Sequence, residues 1–261
     1  MMKQILSVVV SNDNRNVTVD QTIAAICKAG FKHVFIQWYD EPKYAINQIE
    51  QCKLCKDSGL IIDFAHLGYQ NINDIWFEGV DGDLLVERYC KNILDLSKIG
   101  IHMVVMHCIS KWVDFSPNII GLNRFKKIVE YAKELNVKVA IENTKNYGFL
   151  EYLVSNINMD NCGICFDVGH YHCNFKDEWD LSFFKDKVLC VHLHDNDSSS
   201  DQHLLPYDGT INWNKTIELL NDLNYDNNIT LELCNKNYLE TNIYDFYIEG
   251  YKRGLRLLDI V

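Results

Sequence analysis

Cys162-Gly163-Ile164-Cys165-Phe166-Asp167-Val168-Gly169-His170 is an apolar run of strand length that ends on an acid, with an imidazole three residues later. A short buried strand of a parallel sheet delivers its last side chain to the C-terminal rim of the sheet. The turn that follows can bring a second side chain back over the same place. Asp167 and His170 there could grip a metal ion. An Asp-x-x-His is also what a helix cap followed by a surface imidazole looks like. The neighbouring apolar runs decide between the two.

On either side the same rhythm repeats. Strand patterns fall at residues 3–10, 33–37, 61–65, 103–106 and 138–141 before this run, and at 188–193 and 229–233 after it. Between them lie helical patterns. Thr18 or Asp20 caps a helix that Gly30 stops, and further helices are expected at about 44–58, 83–99, 122–135, a shorter one from 149, 214–223 and 242–258. The stretch 180–184 is only weakly helical. Eight strands alternating with about eight helices predict an α/β fold, a parallel (β/α)8 barrel, read as one domain over residues 1–261. An open doubly wound sheet would show fewer strands, and no glycine-rich phosphate fingerprint follows the first strand.

Each strand from the third onward ends on a residue able to bind metal: His66, His107, Glu142, Asp167, His192 and Glu232. Any one of these alone reads as a hydrogen-bonded structural residue. Six in phase point at a common centre at the barrel's C-terminal mouth, where barrel active sites form. Carboxylates mixed with imidazoles suit Zn²⁺ or Mn²⁺ better than Ca²⁺.

With 261 residues, 48% of them hydrophobic, the chain can bury a sizeable core. The net charge of −11 argues against a general nucleic-acid surface, though a local basic groove would be compatible with it. The apolar run at residues 5–10 is too short for a secretion-signal core, and no membrane-spanning stretch appears. Ten cysteines sit mostly inside apolar or helical patterns and read as reduced, buried small hydrophobes of a cytoplasmic protein. Cys52 and Cys55 lie one helical turn apart, whereas Cys162 and Cys165 face opposite sides of a strand, so a shared zinc site is not expected.

At the rim residues the chain resembles the xylose-isomerase-like TIM barrel superfamily, which holds sugar isomerases and epimerases and the endonuclease IV type of apurinic-site nuclease. The resemblance covers essentially the whole chain. It is carried by Ala65-His66-Leu-Gly-Tyr69, Val-Val-Met-His107, Ile-Glu142-Asn-Thr, Phe-Asp167-Val-Gly-His170, Val-His192-Leu-His-Asp195, Asp201-Gln-His203 and Leu-Glu232. For the isomerase branch it implies one metal ion on Glu142, Asp167, His192 and Glu232. For the nuclease branch it implies three zinc ions on those four plus His66, His107, His170, Asp201 and His203. One ion on three carboxylates and a histidine leaves about −1, which suits a neutral sugar, while three ions against four carboxylates leave about +2, which favours phosphate.

The resemblance makes Glu142 and Glu232 the catalytic pair, exchanging protons with a metal-chelated sugar. His66, His107, His170, Trp38, Tyr69 and Trp76 are the expected substrate contacts. Trp38 lies at the loop Gln37-Trp-Tyr-Asp-Glu-Pro-Lys43, and Trp76 and Phe77 in the loop 71–82 either pack on a sugar or plug the barrel top. Tyr69 matches a DNA-contacting tyrosine of the nuclease branch, yet Asp40, Glu41, Asp74, Glu78 and Asp81 stand where a nuclease would need basic residues. His194 reads as lying outside the ligand set, and Ser198-Ser-Ser as a flexible polar loop. An arginine that holds the sugar in some ketose epimerases is replaced by that loop. At the turn Leu205-Pro-Tyr-Asp-Gly209, Tyr207 and Asp208 stand where the family is richer in glycine.

The expected function is a metal-dependent isomerase or epimerase of a sugar, sugar phosphate or polyol, in carbohydrate metabolism, with one to three divalent ions and a small-molecule substrate. The alternative is a zinc phosphodiesterase acting on nucleic acid. A non-catalytic carbohydrate-binding barrel is a third reading. No membrane partner is expected, and the oligomeric state stays open.

Overall fold

The computed structural model describes residues 5–11, 16–39 and 47–259. Its strands are β1 (Leu6–Val9), β2 (His33–Trp38), β3 (Ile61–Leu67), β4 (Met103–His107), β5 (Lys138–Glu142), β6 (Cys162–Asp167), β7 (Val188–His192) and β8 (Ile229–Leu231). They form one parallel sheet in the order β7-β6-β5-β4-β3-β2-β1-β8. The two ends meet above β7, where Leu193 bridges Leu231 in parallel. There the Leu193 amide donates to Thr230 O at 2.8 Å and the Glu232 amide to Leu193 O at 3.0 Å. Eight helices follow their strands: α1 (Val19–Ala29), α2 (Gln48–Asp57), α3 (Val80–Lys98), α4 (Ile119–Glu134), α5 (Tyr147–Asn156), α6 (Val168–Phe175), α7 (Trp213–Asp222) and α8 (Ile243–Leu258). The expected (β/α)8 TIM barrel is the observed fold.

Local chemistry sets most helix ends. Thr18 caps α1 in a capping box with Gln21, and Gly30 ends it in the left-handed conformation that glycine adopts without strain. Asn47, Asn118, Asn212 and Asn242 cap α2, α4, α7 and α8 through their side-chain oxygens. The expected start of the second helix at residue 44 lies outside the described residues. The weak stretch at 180–184 is a short 3-10 turn, Ser182–Phe184, and the helix after β6 is instead α6, which begins directly on the strand's last residue. Its eight residues are too few to show a helical period, and Asp167 is at once strand end and helix cap.

Two apolar layers hold the barrel. Val9, Phe35, Phe64, Val105, Ala140, Cys165 and Cys190 fill its interior, and a larger shell packs the helices onto the sheet. Alternation decides which side a strand residue joins. Phe35 and Phe64 face inward and stack on each other at 4.7 Å, directly below His192 at 5.0 and 5.7 Å. All ten cysteines are free thiols, and burial pushes those of Cys52 and Cys55 up to about 12, so they behave as inert core residues.

Candidate metal centre

Above the Phe35–Phe64 floor the strand ends converge. Register pairs His107 with Glu142 and Asp167 with His192, so these side chains leave adjacent strands at the same height and on the same side. Glu142, Asp167, His192 and Glu232 are all buried and each offers a ligand atom within 4.8 Å of the others. His192 Nδ1 lies 3.3 Å from Glu142 Oε1, 3.2 Å from Glu232 Oε2 and 3.8 Å from Asp167 Oδ2. Three more sets adjoin this one: His66, His107 and Glu142 on one flank, His194, Asp201 and His203 on the other, and His66 with His192 and Glu232 between. Glu142 belongs to two of the four sets, its Oε2 being 2.9 Å from His66 Nε2 and 3.0 Å from His107 Nε2.

The histidines are oriented from behind. Nδ1 of His66, His170 and His203 lies 3.0, 2.9 and 3.0 Å from the carbonyl oxygens of Leu67, Asn143 and Glu232. A carbonyl only accepts, so each Nδ1 carries the proton and, in the neutral ring, each Nε2 presents its lone pair. Those Nε2 atoms face carboxylates: Glu142 for His66, and Asp201 for His170 and His203 at 3.3 and 3.2 Å. Asn143 fixes the other partner. Its amide donates to Asp167 O at 2.8 Å and its side-chain oxygen accepts the Asp167 amide at 2.6 Å.

Asp167 combines the two readings of its motif. One oxygen caps α6 by accepting the His170 amide at 2.6 Å. The other, Oδ2, is buried and makes no hydrogen bond among the described residues, and the same holds for Asp201 Oδ1. Buried carboxylate oxygens left bare are costly, and neither lysine nor arginine pairs with Glu142, Asp167, Asp201 or Glu232 among the described residues. A divalent cation would supply what is missing, and the donor set of carboxylates and imidazoles at this spacing fits one. Without it, protons on the histidines do part of that work. Burial alone would raise Glu142 and Glu232, but the imidazoles of His107 and His192 hold Glu142 well below the usual carboxylate range, and those of His192 and His203 do the same for Glu232. Burial opposes the charged form of His203, yet Asp201 and Glu232 push it up to about 9.

Of the expected substrate contacts, Tyr69 reaches the mouth. It stacks on His107 at 4.2 Å and is partly exposed. The two tryptophans do not, which corrects the sequence expectation. Gln37 pairs with inward-facing His66, so its neighbour Trp38 turns outward and is buried under the helices. Trp76 is fully buried, donates its indole N–H to Cys108 O at 2.8 Å and packs on Phe125 and Phe149 beside α4. Asp40 and Glu41 lie outside the described residues.

The loop between β7 and α7 carries Asp201 and His203, and its polar side chains tie it to itself. The Ser198 amide donates to Asn196 Oδ1 at 2.9 Å, and the Asp197 amide to Gln202 Oε1 at 2.7 Å. Asp195, fully buried, accepts from the amides of Asn196, Tyr207 and Ile211 and from the Trp213 indole at 2.8–3.2 Å. Tyr207 takes the left-handed backbone (φ 75°) that glycine favours, with Arg256 over its ring at 4.0 Å. Asp195→Ala is expected to cost roughly 3–5 kcal/mol by leaving several buried donors unpaired. Urea unfolding measures it, and a loss under about 1 kcal/mol would deny Asp195 this role.

Residues 23–259 match the family model described as the xylose isomerase-like TIM barrel. An uncharacterized protein of Methanocaldococcus jannaschii is 31% identical over 48% of this chain and 47% of its own length. A probable endonuclease 4 of Mycoplasma mycoides is 28% identical over 36% of this chain and 40% of its own. The chain thus spans about half the length of the curated relatives it matches. Among solved structures, D-allulose 3-epimerase from Methylomonas sp. aligns over 96% of both chains with TM-score 0.72 and 13% identity. The IOLI protein with a binding zinc atom aligns over 98% of both with TM-score 0.75 and 14% identity. At these identities the structural likeness is one of fold. With the family model covering nearly all of the barrel, the chain belongs to the xylose isomerase-like TIM barrel family.

Proposed function

We propose that this protein is a divalent-metal-dependent isomerase or epimerase of a sugar, sugar phosphate or polyol. The observation that carries the reading is the pair Glu142 and Glu232, both buried and held as carboxylates 3.3 and 3.2 Å from the same His192 nitrogen. Two carboxylates facing one small space suit removal of a proton from one substrate carbon by one of them, followed either by its return to the neighbouring carbon or, once the second carboxylate has taken a proton from solvent, by delivery of that second proton to the first carbon's other face. Glu142, Asp167, His192 and Glu232 would hold the ion, which supplies Lewis-acid polarisation of a chelated carbonyl and hydroxyl. Tyr69 and His107 form an aromatic wall at the mouth, and Phe35 and Phe64 exclude water from below. Glu78, on the loop after β3, and Asp81, in the first turn of α3, are exposed and disfavour a polyanionic duplex.

The test is a panel of ketoses, aldoses and their phosphates incubated with Mn²⁺- or Zn²⁺-loaded protein in D2O. Deuterium entering the carbon next to the carbonyl, together with a new isomer, is the expected result. A panel without isomerisation or exchange would reject the proton-transfer reading. A second reading, a zinc phosphodiesterase of the apurinic-site type, is favoured by the two donor sets that flank the first. Its test is cleavage of an abasic-site duplex by protein holding three zinc equivalents.

A further inference from the structure

β7 ends at His192, but the chain stays extended through Leu193, whose two hydrogen bonds to β8 carry the pairing one residue further. Alternation therefore brings His194 out on the same side as His192, one step nearer the mouth. This is the opposite of the sequence expectation, which placed His194 outside the ligand set. The ring is fully buried, and neither of its nitrogens makes a hydrogen bond among the described residues. Its Nε2 lies 3.5 Å from Asp201 Oδ1, itself bare, and 3.3 Å from Asp167 Oδ1. The ring also stacks on His203 at 4.0 Å, and His203 Nε2 is 3.2 Å from the other oxygen of Asp201.

Two ligand atoms about 2.0–2.1 Å from a tetrahedral ion lie roughly 3.3–3.4 Å apart, so the His194–Asp201 separation fits a shared cation. The rings of His194 and His203, now 18° from parallel, would splay on binding so that both in-plane lone pairs meet the ion. The seat for the ring is built into the motif after β6. A Cβ on Gly169 would stand 1.9 Å from His194 Cε1, so only glycine leaves room for the imidazole there.

We propose that His194 is a direct ligand, with Asp201 and His203, of an ion in the outermost donor set. This adds a tenth donor to the nine implied by the family resemblance. His170 Nε2, 3.3 Å from Asp201 Oδ2, stands ready to complete a shell of four protein side chains. Zinc held by four protein donors keeps no open position for water or substrate. The outermost ion then serves as fixed positive charge and as an anchor for the β7–α7 loop, while chemistry is left to the set around Glu142. The inference rests on the metal-dependent part of the proposed function and not on its sugar chemistry.

The experiment compares native protein with His194→Ala, His194→Gln and Gly169→Ala, all purified without chelator or affinity metal. Zinc per chain is read by elemental analysis, and the visible spectrum is read after Co²⁺ substitution. Each variant is expected to hold one zinc equivalent fewer than the native chain and to lose an intense four-coordinate Co²⁺ band. Circular dichroism identifies folded variants, and His194→Gln keeps the test available where the alanine fails to fold. Unchanged zinc content and an unchanged Co²⁺ spectrum in folded His194→Gln would overturn the proposal. So would a native chain that holds a single equivalent in zinc-saturated buffer. Loss of zinc in the variants alongside an inert sugar panel would uphold this ligand and reject only the isomerase reading.

Discussion

Glu142→Gln is expected to lower turnover by about 10³-fold or more, because it removes a proton acceptor worth about 10²–10⁴ and weakens metal binding as well. The carboxylate faces His66 and His107 with one oxygen and His192 with the other, so it is a donor in two sets. An amide of the same shape cannot carry the negative charge those sets share. Metal content should fall along with turnover. Glu232→Gln is expected to match the loss of turnover while leaving the His66–His107–Glu142 set complete, since Glu232 pairs with His192 and His203 and is not a member of that set. Steady-state kinetics with metal analysis on the same preparations separates the two effects. Activity near the native level in either variant would remove that residue from the catalytic pair.

The second large effect is that of metal removal. Three buried carboxylates and the half-buried Asp201, without a lysine or arginine partner among the described residues, repel one another once the cation is gone, and protonated histidines offset only part of this. Chelation should therefore abolish turnover and lower Tm. At a free metal concentration a hundred times Kd, binding contributes about 2.7 kcal/mol. For a chain of this size that is roughly 5–10 °C in Tm. Recovery of both on adding Mn²⁺ or Zn²⁺ is the expected control. Full activity after exhaustive dialysis against chelator, with residual metal below a tenth of an equivalent, would reject metal dependence.

What could be read in advance follows from geometry. Parallel strands end together at one rim, so residues closing successive apolar runs share a level, and His66, His107, Glu142, Asp167, His192 and Glu232 were visible for that reason. Helix ends were readable within a few residues wherever a capping side chain or a left-handed glycine marks them, as at Thr18 and Gly30. The in-or-out phase just past a strand end was not. Trp38 and Trp76 are aromatic residues near the mouth in sequence, but one points under the helices and the other is locked behind α4. The inward, fully buried direction of His194 was not legible because Leu193 continues the pairing with β8, a contact between segments distant in sequence. Asn143 left a faint signal, an amide directly after a ligand acid, but its two bonds to Asp167 depend on β5 and β6 being neighbours.

The stacked rings of Phe35 and Phe64 under His192 have a consequence for isotopic experiments. With that floor packed by Phe35 and Phe64, in the proposed reaction a hydrogen taken from substrate by Glu142 or Glu232 would leave through the mouth, the side from which substrate enters. Where one carboxylate carries the hydrogen between neighbouring carbons, product formed in one encounter should retain part of the substrate's own hydrogen, a case of internal return, and deuterium uptake from solvent would lag behind isomer formation early in the reaction. Where two carboxylates invert one carbon, product would instead carry the second carboxylate's hydrogen and uptake would keep pace with isomer formation. A substrate carrying deuterium at the reacting carbon, followed through a single turnover, would expose that memory directly.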